Sequence, residues 1–258
     1  MTGSEEEARA SGAGSAAPAA DPAALPQFYR DPTLLDATAH ARLRLAPAPG
    51  FRFAKATNSI ALGADEFYPA QACYPIVFTM TAPVTPLAIV GIGDPDNLFV
   101  GSDGAWREGF YVPAYVRRYP FVMVQAPGRD DLILAIDQAA EALSTEAGEP
   151  LFADGKPAPL VQRVLEFCAA FEHQVAVARE FTAALVAQKL LVENRAQLTM
   201  PSGAATSLGG FQVIDEARFN TLADDVVLDW RRRGWLGLVY AHLMSTHRWQ
   251  ALARSASP

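Results

Sequence analysis

Glu166, His173 and Glu180 recur at intervals of seven residues. On a helix that spacing puts all three on one face, the arrangement from which di-iron carboxylate sites are built. Such a site needs Glu-x-x-His pairs from two helices. Here the residue three before His173 is Ala170, and the chain has no second such pair, so the three read as exposed charge. His242 and His247 lie five residues apart. At about 100° per residue they diverge by roughly 140°, too far for one tetrahedral metal ion. His242 follows Tyr240 and Ala241 and is expected to be a half-buried, hydrogen-bonded histidine. His40 has no cysteine or histidine neighbour. Gly91-Ile92-Gly93 follows an apolar run, as a dinucleotide fingerprint does. Asp96 stands where its third glycine belongs, and Pro95 interrupts the helix start that would hold pyrophosphate. Asp94-Pro95-Asp96-Asn97 opens like a calcium loop but continues with Leu98 and Phe99, where an oxygen ligand and a glycine are required. The chain has no Gly-x-Ser-x-Gly elbow, Walker loop or His-Glu-x-x-His motif. No cofactor or metal is expected, and no residue is assigned to catalysis.

What remains is the run from Asn97 to Phe121, which crowds aromatics, arginines and prolines around Asp-Gly and Glu-Gly turns. An ordinary buried strand does not need that mixture. Its candidate binding residues are Asn97, Trp106, Tyr111, Tyr115, Arg117, Arg118 and Tyr119. One reading is a core cap, in which Trp106 and Tyr111 close the end of a sheet and Arg117 or Arg118 pairs with a carboxylate. The other is a recognition surface with aromatic and arginine anchors. A division of labour is expected, with Trp106 structural and Tyr115 and Arg118 facing a partner.

The elements that position this run are legible from punctuation and period. Short β-like runs appear at Phe51–Ala54, Ala61–Gly63, Ile76–Met80, Pro86–Val90, Phe121–Gln125 and Leu132–Ile136, with Pro83, Pro86, Gly91, Gly93, Pro95, Pro127 and Gly128 as breaks. The last two runs are a hairpin candidate. Ala64–Ala72 reads as at least one helical turn, with Asp65 near its start. From 158 to 193 apolar residues recur at three- and four-residue steps, the pattern of an amphipathic helix or of two with a break, and Pro157 and Pro159 suit its first turn. A small hairpin is expected from Ala196–Met200 and Ser207–Ile214. Asp215 then N-caps a helix over roughly 216–223 that continues over Val226–Arg233. Gly234 ends it, and a last helix covers about 235–253. The fold class is α+β, with a sheet-rich N-terminal half and a helix-rich C-terminal half. Residues 1–26 are Ala/Gly/Ser/Pro-rich and expected to be a disordered low-complexity tail. Residues 27–254 form a single domain with a possible sub-boundary near 150–158.

The chain has 258 residues, half of them hydrophobic and 19% charged, a globular composition. A net charge of −7 argues against a nucleic-acid partner, which requires a basic footprint. Arg231-Arg232-Arg233 is too short to reverse that balance and suits a solvated helix end. The acidic start carries no signal-peptide pattern, and no stretch of about 18 residues is apolar enough to span a membrane. Cys73 and Cys168 are expected to be free thiols, which fits a reducing compartment and a cytoplasmic location.

Several segments, in order, carry a resemblance. They are Tyr74-Pro75-Ile76-Val77-Phe78, Asn97-Leu98-Phe99-Val100, Gly104-Ala105-Trp106, Gly109 to Ala114, Arg118-Tyr119-Pro120-Phe121, Leu134 to Asp137, Gly148 to Phe152, Leu208 to Glu216 and His242 to Ser245. Together they resemble the SapC family of bacterial proteins over about residues 28–252. The family's name associates it with bacterial surface layers; the resemblance supplies no catalytic residue. It is distinct from the peptide-transport permease of the same name, whose membrane spans this chain lacks. The resulting expectation is a protein- or peptide-binding accessory factor linked to surface-layer or envelope production. The alternative is an enzyme of unrecognised class, or an accessory to one, acting on a small molecule.

Overall fold

Runs of Ile, Val, Phe and Leu between prolines and glycines become strands, and the helical apolar repeat after Pro157 becomes one long helix. The computed structural model describes residues 25–47, 50–92, 96–125 and 131–256. Residues 1–24, 48–49, 93–95, 126–130 and 257–258 lie outside the described residues, and with them most of the expected tail and the connection of the expected hairpin.

In chain order the strands are β1 (Pro32–Leu34), β2 (Arg44–Leu45), β3 (Ser59–Ala61), β4 (Ile76–Thr79), β5 (Pro86–Ile89), β6 (Phe121–Gln125), β7 (Leu132–Asp137), β8 (Leu143–Ser144), β9 (Glu149–Pro150), β10 (Phe152–Ala153), β11 (Lys156–Pro157), β12 (Leu191–Thr199) and β13 (Ala205–Ile214). The helices are α1 (Phe67–Gln71), α2 (Ala114–Arg117), α3 (Pro159–Ala187), α4 (Glu216–Phe219), α5 (Asp224–Arg233), α6 (Trp235–Ser245) and α7 (Trp249–Ser255). The fold is α+β, with strands mostly in the N-terminal half and helices concentrated at the C-terminal end.

The main sheet is antiparallel, in the order β12-β13-β4-β5-β3. It joins the two halves of the sequence, because Phe211 and Gln212 of β13 pair with Thr79 and Phe78 of β4. A second antiparallel sheet runs β1-β7-β6, with Phe121 opposite Ile136 and Leu34 opposite Ala135. Strands β8-β2-β9 and the β10-β11 hairpin complete this end. Helix α3 spans roughly 43 Å at 1.5 Å per residue and serves two cores. Its Leu160, Val161 and Cys168 pack with Phe121, Leu134, Ile136 and Leu151. Its Ala178, Phe181 and Leu185 join the main core with Phe67, Phe78, Trp230 and Trp235.

Edge strand β3 is only three residues long. The Gln27 side-chain amide donates to the Ser59 carbonyl at 3.2 Å and also to the Thr57 hydroxyl, so a side chain occupies part of that edge.

Some boundaries differ from those read in the sequence. Phe51–Ala54 is not a strand; Arg52–Ala54 form a 3-10 turn, because the Phe51 and Phe53 rings are drawn into an aromatic cluster and the Phe51 N–H bonds the Gly104 carbonyl at 2.7 Å. The helix expected to reach 193 ends at Ala187. Lys189 adopts a left-handed φ of 53° and the Leu190 N–H bonds the Leu185 carbonyl at 3.0 Å. The apolar residues that follow belong to β12, which gains a ladder with β13 over a longer stretch than the hairpin expected there. The C-terminal segment is two helices joined by a 3-10 turn at Thr246–Arg248. Asp215 caps α4 by accepting from the Arg218 N–H at 3.1 Å, and Gly234 stops α5 with φ 75°. The arginine run at the end of α5 is exposed, and Arg233 pairs with Asp229 at 2.9 Å. Among the described residues, no helix is long and apolar enough to cross a membrane. Both cysteines are free thiols, and burial pushes Cys168 up to about 11.

Helix α6 is stitched to the main sheet by two polar side chains. The Ser245 hydroxyl accepts from the Ile76 N–H of β4 at 2.9 Å and donates to the His242 carbonyl at 2.6 Å. The His242 Nε2 accepts from the Ile214 N–H of β13 at 3.1 Å. His242 is fully buried rather than half-buried, and burial depresses its pKa from 6.5 to about 4. Between those values the unfolded chain binds a proton that the folded chain refuses, so stability rises with pH through this window and is lost as pH falls. Urea midpoints measured from pH 7 to pH 4.5 should therefore decline for the wild type. In His242→Gln, which keeps an acceptor for the Ile214 N–H, that decline should be shallower by up to about one proton.

Candidate functional site

The segment 97–120 lies between the last strand of the main sheet's first half and β6, and has little ladder of its own. One isolated bridge joins Val100 to Trp106. Side chains supply most of its other anchors. Asn97 is fully buried; its Nδ2 donates to the Ala54 carbonyl at 3.1 Å and its Oδ1 accepts from the Phe99 N–H at 2.9 Å. Trp106 is buried between Phe51 and Phe99, and its Nε1 donates to the Tyr74 hydroxyl at 3.2 Å. Gly104 turns the chain with φ +83°, and a Cβ there would come within 2.6 Å of Arg52 Cγ.

Glu66, 2% exposed, fixes the next stretch. Its Oε2 accepts from the Gly63 N–H at 2.7 Å. Its Oε1 accepts from the Ala114 N–H at 2.6 Å and the Tyr111 hydroxyl at 3.0 Å. Burial raises its pKa, and the three donors oppose that shift. Tyr111 in turn accepts from Arg117 Nη2 at 3.1 Å. Arg117 is exposed, donates from Nε to the Val112 carbonyl at 3.0 Å and lies over the Phe167 ring at 5.0 Å.

Arg118 is 6% exposed. Its Nη1 pairs with Glu172 of α3 at 3.1 Å, and its guanidinium carbon lies 4.2 Å from the Tyr115 ring centre and 4.9 Å from that of Phe171. Among the described residues, its Nε has no hydrogen-bond partner. Tyr115 is half-buried, donates to the Gln27 carbonyl at 3.2 Å and meets Phe28 and Phe171 edge-on. Tyr119 is buried, stacked on Phe53 at 4.0 Å, and donates to Asp137 at 3.0 Å. Burial, reinforced by the Asp137 carboxylate, pushes Tyr119 up to about 12.

The structure thus gathers the seven sequence candidates into one continuous strip but presents them unequally. Arg117 is exposed, Tyr111 and Tyr115 are half-buried, and Asn97, Trp106, Arg118 and Tyr119 are buried. Arg118, expected to face outward, instead points into protein and meets the carboxylate anticipated for the cap. Three acidic residues that hold the strip escaped sequence reading: Glu66, Asp137 and Glu172. Glu172 carried a usable signal, since it falls four after Cys168 on the buried side of α3. Glu66 and Asp137 carried none, because each takes its role from a distant segment.

Two cavities adjoin the strip. A cleft of about 590 Å³ opens beside the stacked Phe53 and Tyr119 rings, with Phe28 also in its lining. Its charged lining is Arg30, Arg52, Asp103 and Glu141, all exposed. A narrower cavity of about 200 Å³ lies between α3 and the β3–β5 end of the main sheet, with Tyr115, Arg118 and Glu172 on its wall. Among the described residues, no group of three or more His, Cys, Asp or Glu side chains is placed to hold a metal ion.

Substitutions separate anchors from surface. Glu66→Gln puts an NH₂ where one buried N–H needs an acceptor, and should lower stability by about 1–3 kcal/mol. Trp106→Ala should cost about 3–5 kcal/mol. Arg117→Ala, at an exposed position, should stay within about 1 kcal/mol. Urea melts of the three variants check this ordering.

No curated protein and no solved structure matches this chain. The family model described as SapC matches residues 35–252. The match takes in the main sheet, β6 and β7 of the second sheet, α3 and the whole aromatic strip, and on that extent the chain belongs to the SapC family.

Proposed function

We propose that this SapC-family chain is a cytoplasmic, single-domain accessory factor that binds a protein or peptide partner in surface-layer or envelope production. The observation that carries the reading is the 590 Å³ cleft. Its base is aromatic, and two arginines and two carboxylates surround it. Such a surface offers apolar contact together with donors and acceptors of both signs, which suits a polypeptide whose backbone and side chains present both. A single small anion or cation would call for a more one-sided lining.

The enzymatic alternative draws less support. The most strongly buried carboxylate with a raised pKa, Glu66, has both oxygens engaged by protein donors. The depressed histidine, His242, is spent on the backbone of β13. Neither lines the cleft.

The test is a photo-crosslinking residue in place of Glu141, introduced in the native bacterium, with a control at Glu193 on the far edge strand. A polypeptide captured at the first position and not the second is expected. Rebinding of that purified polypeptide should weaken by at least about 30-fold in Arg52→Glu, the hot-spot scale, with the melting temperature retained. Unchanged binding by stable Arg52→Glu and Glu141→Arg variants would refute the assignment to this cleft.

A further inference from the structure

Four aromatic rings in successive contact link the two depressions. Phe53 stacks on Tyr119 in the 590 Å³ cleft, and Phe28 meets Phe53 edge-on with ring centres 5.4 Å apart. Tyr115 follows at 5.7 Å from Phe28, and Phe171 at 6.2 Å from Tyr115. Phe28 lines the cleft, while Tyr115 and Phe171 line the 200 Å³ groove between α3 and the β3–β5 end of the main sheet. One ring contact, Phe28 on Tyr115, therefore separates the cleft from the groove. The chain makes that contact against its own backbone preference. Phe28 has φ 81°, and the Tyr29 N–H bonds the Pro26 carbonyl at 3.0 Å. Phe28 thus holds the third position of a β-turn, where a positive φ calls for glycine or asparagine and a bulky residue is disfavoured. Its neighbours keep it there. Gln27 is tied to Thr57, Ser59 and Tyr115, and Tyr29 to Phe121. Strain that is held in place from both sides keeps the half-buried Phe28 ring on the crest between the depressions.

We propose that one extended polypeptide segment crosses this ridge and occupies both depressions, an extension that rests on the cleft being a polypeptide site. The segment carries apolar side chains at alternate positions and a carboxylate at the groove end. Laid end to end, the three ring-to-ring steps span at most about 17 Å, the reach of about five or six extended residues. Side chains on one face of such a segment recur at about 6.6 Å, close to the ring spacing. Arg179 sets the charge. It is exposed on α3 and lines the groove, and among the described residues its guanidinium has no ion pair. Glu172 is already paired with Arg118. Arg118 acts from beneath, its guanidinium set against the Tyr115 and Phe171 rings so that they stay in place. Strand addition is hindered here, because Gln27 already occupies a carbonyl of the β3 edge. Recognition therefore falls to side chains, and the open depressions offer them rings, carboxylates and guanidinium groups together.

The experiment uses the full chain and fluorescence anisotropy of N-terminally labelled, C-terminally amidated peptides of about eight residues. One set alternates Val, Ile or Phe with Ser or Thr and ends in Glu. A second set ends in Lys instead. A third keeps the first set's composition but makes the apolar residues contiguous. The best member of the first set should bind at least about tenfold more tightly than its counterparts in the other two. Arg179→Glu should reverse the preference between Glu and Lys ends. Phe28→Gly, in which glycine accepts the left-handed φ, should lose at least about tenfold in affinity while the chain stays folded. If the ring only fills space, that variant melts earlier and the folded chain binds as before, which overturns the proposal. Arg179→Glu decides the matter even if Phe28→Gly fails to fold. The polypeptide captured through Glu141 is tested against the same variants. Loss of its binding in Arg52→Glu, with none in folded Phe28→Gly and Arg179→Glu, leaves the cleft as a polypeptide site and overturns its extension across the ridge. Equal binding by the three peptide sets, or none by any, also overturns the proposal.

Discussion

The carboxylate of Asp137 is fully shielded from water and accepts four hydrogen bonds: from the N–H groups of Arg30, Asp31 and Ala139 and from the hydroxyl of Tyr119. A buried charge is tolerated only when it is this fully matched. The donors come from the N-terminal lead-in to β1, from the turn after β7 and from the end of the aromatic strip. One side chain therefore fixes how three segments meet. Tyr29 adds a further tie by donating to the Phe121 carbonyl at the start of β6.

The same device recurs along the strip. Glu66 gathers Gly63, Tyr111 and Ala114, and Arg118 ties α2 to α3 through Glu172. Backbone that crosses a protein without a neighbouring strand still has to satisfy its N–H and carbonyl groups. Here the buried carboxylates of Glu66 and Asp137, which accept from backbone N–H groups, do part of what a ladder does elsewhere. Both cavities open beside these anchors, one against Tyr119 and the other against Arg118. Rigid polar anchors are thus what give the irregular region a fixed surface.

Much of the scaffold was legible because local signals agreed with the fold. β4, β5, β6 and β7 fall where apolar runs are bounded by proline and glycine, and Asp215 and Gly234 act as the helix stop signals they resemble. The misplaced elements were those whose state is decided at long range. Phe51–Ala54 has strand-like residues but no strand to pair with, and Leu191 extends a helical repeat yet is claimed by the hairpin. The aromatic strip was singled out from its composition alone. Which of its members are buried was not readable, because that depends on carboxylates of α3, β7 and the turn before α1, whose proximity only the tertiary fold creates. Arg117 and Arg118 are adjacent and chemically identical, and it is the tertiary placement of Glu172 and Phe171 beside Arg118 that separates the exposed one from the buried one.

The cap that Gln27 places on β3 bears on self-association. An unpaired sheet edge is a template on which a second chain can add a strand. At this edge the strand is short and one of its carbonyls is already occupied by an amide from the N-terminal lead-in. At the opposite edge, β12 carries Glu193 and Arg195 and a register irregularity between Asn194 and Ala196, features that hinder flat pairing. The open five-stranded sheet is thereby guarded at both margins, one by a residue lying outside it in sequence and the other by its own charges. Its growth into intermolecular sheet is discouraged by the same short lead-in that Asp137 holds in place.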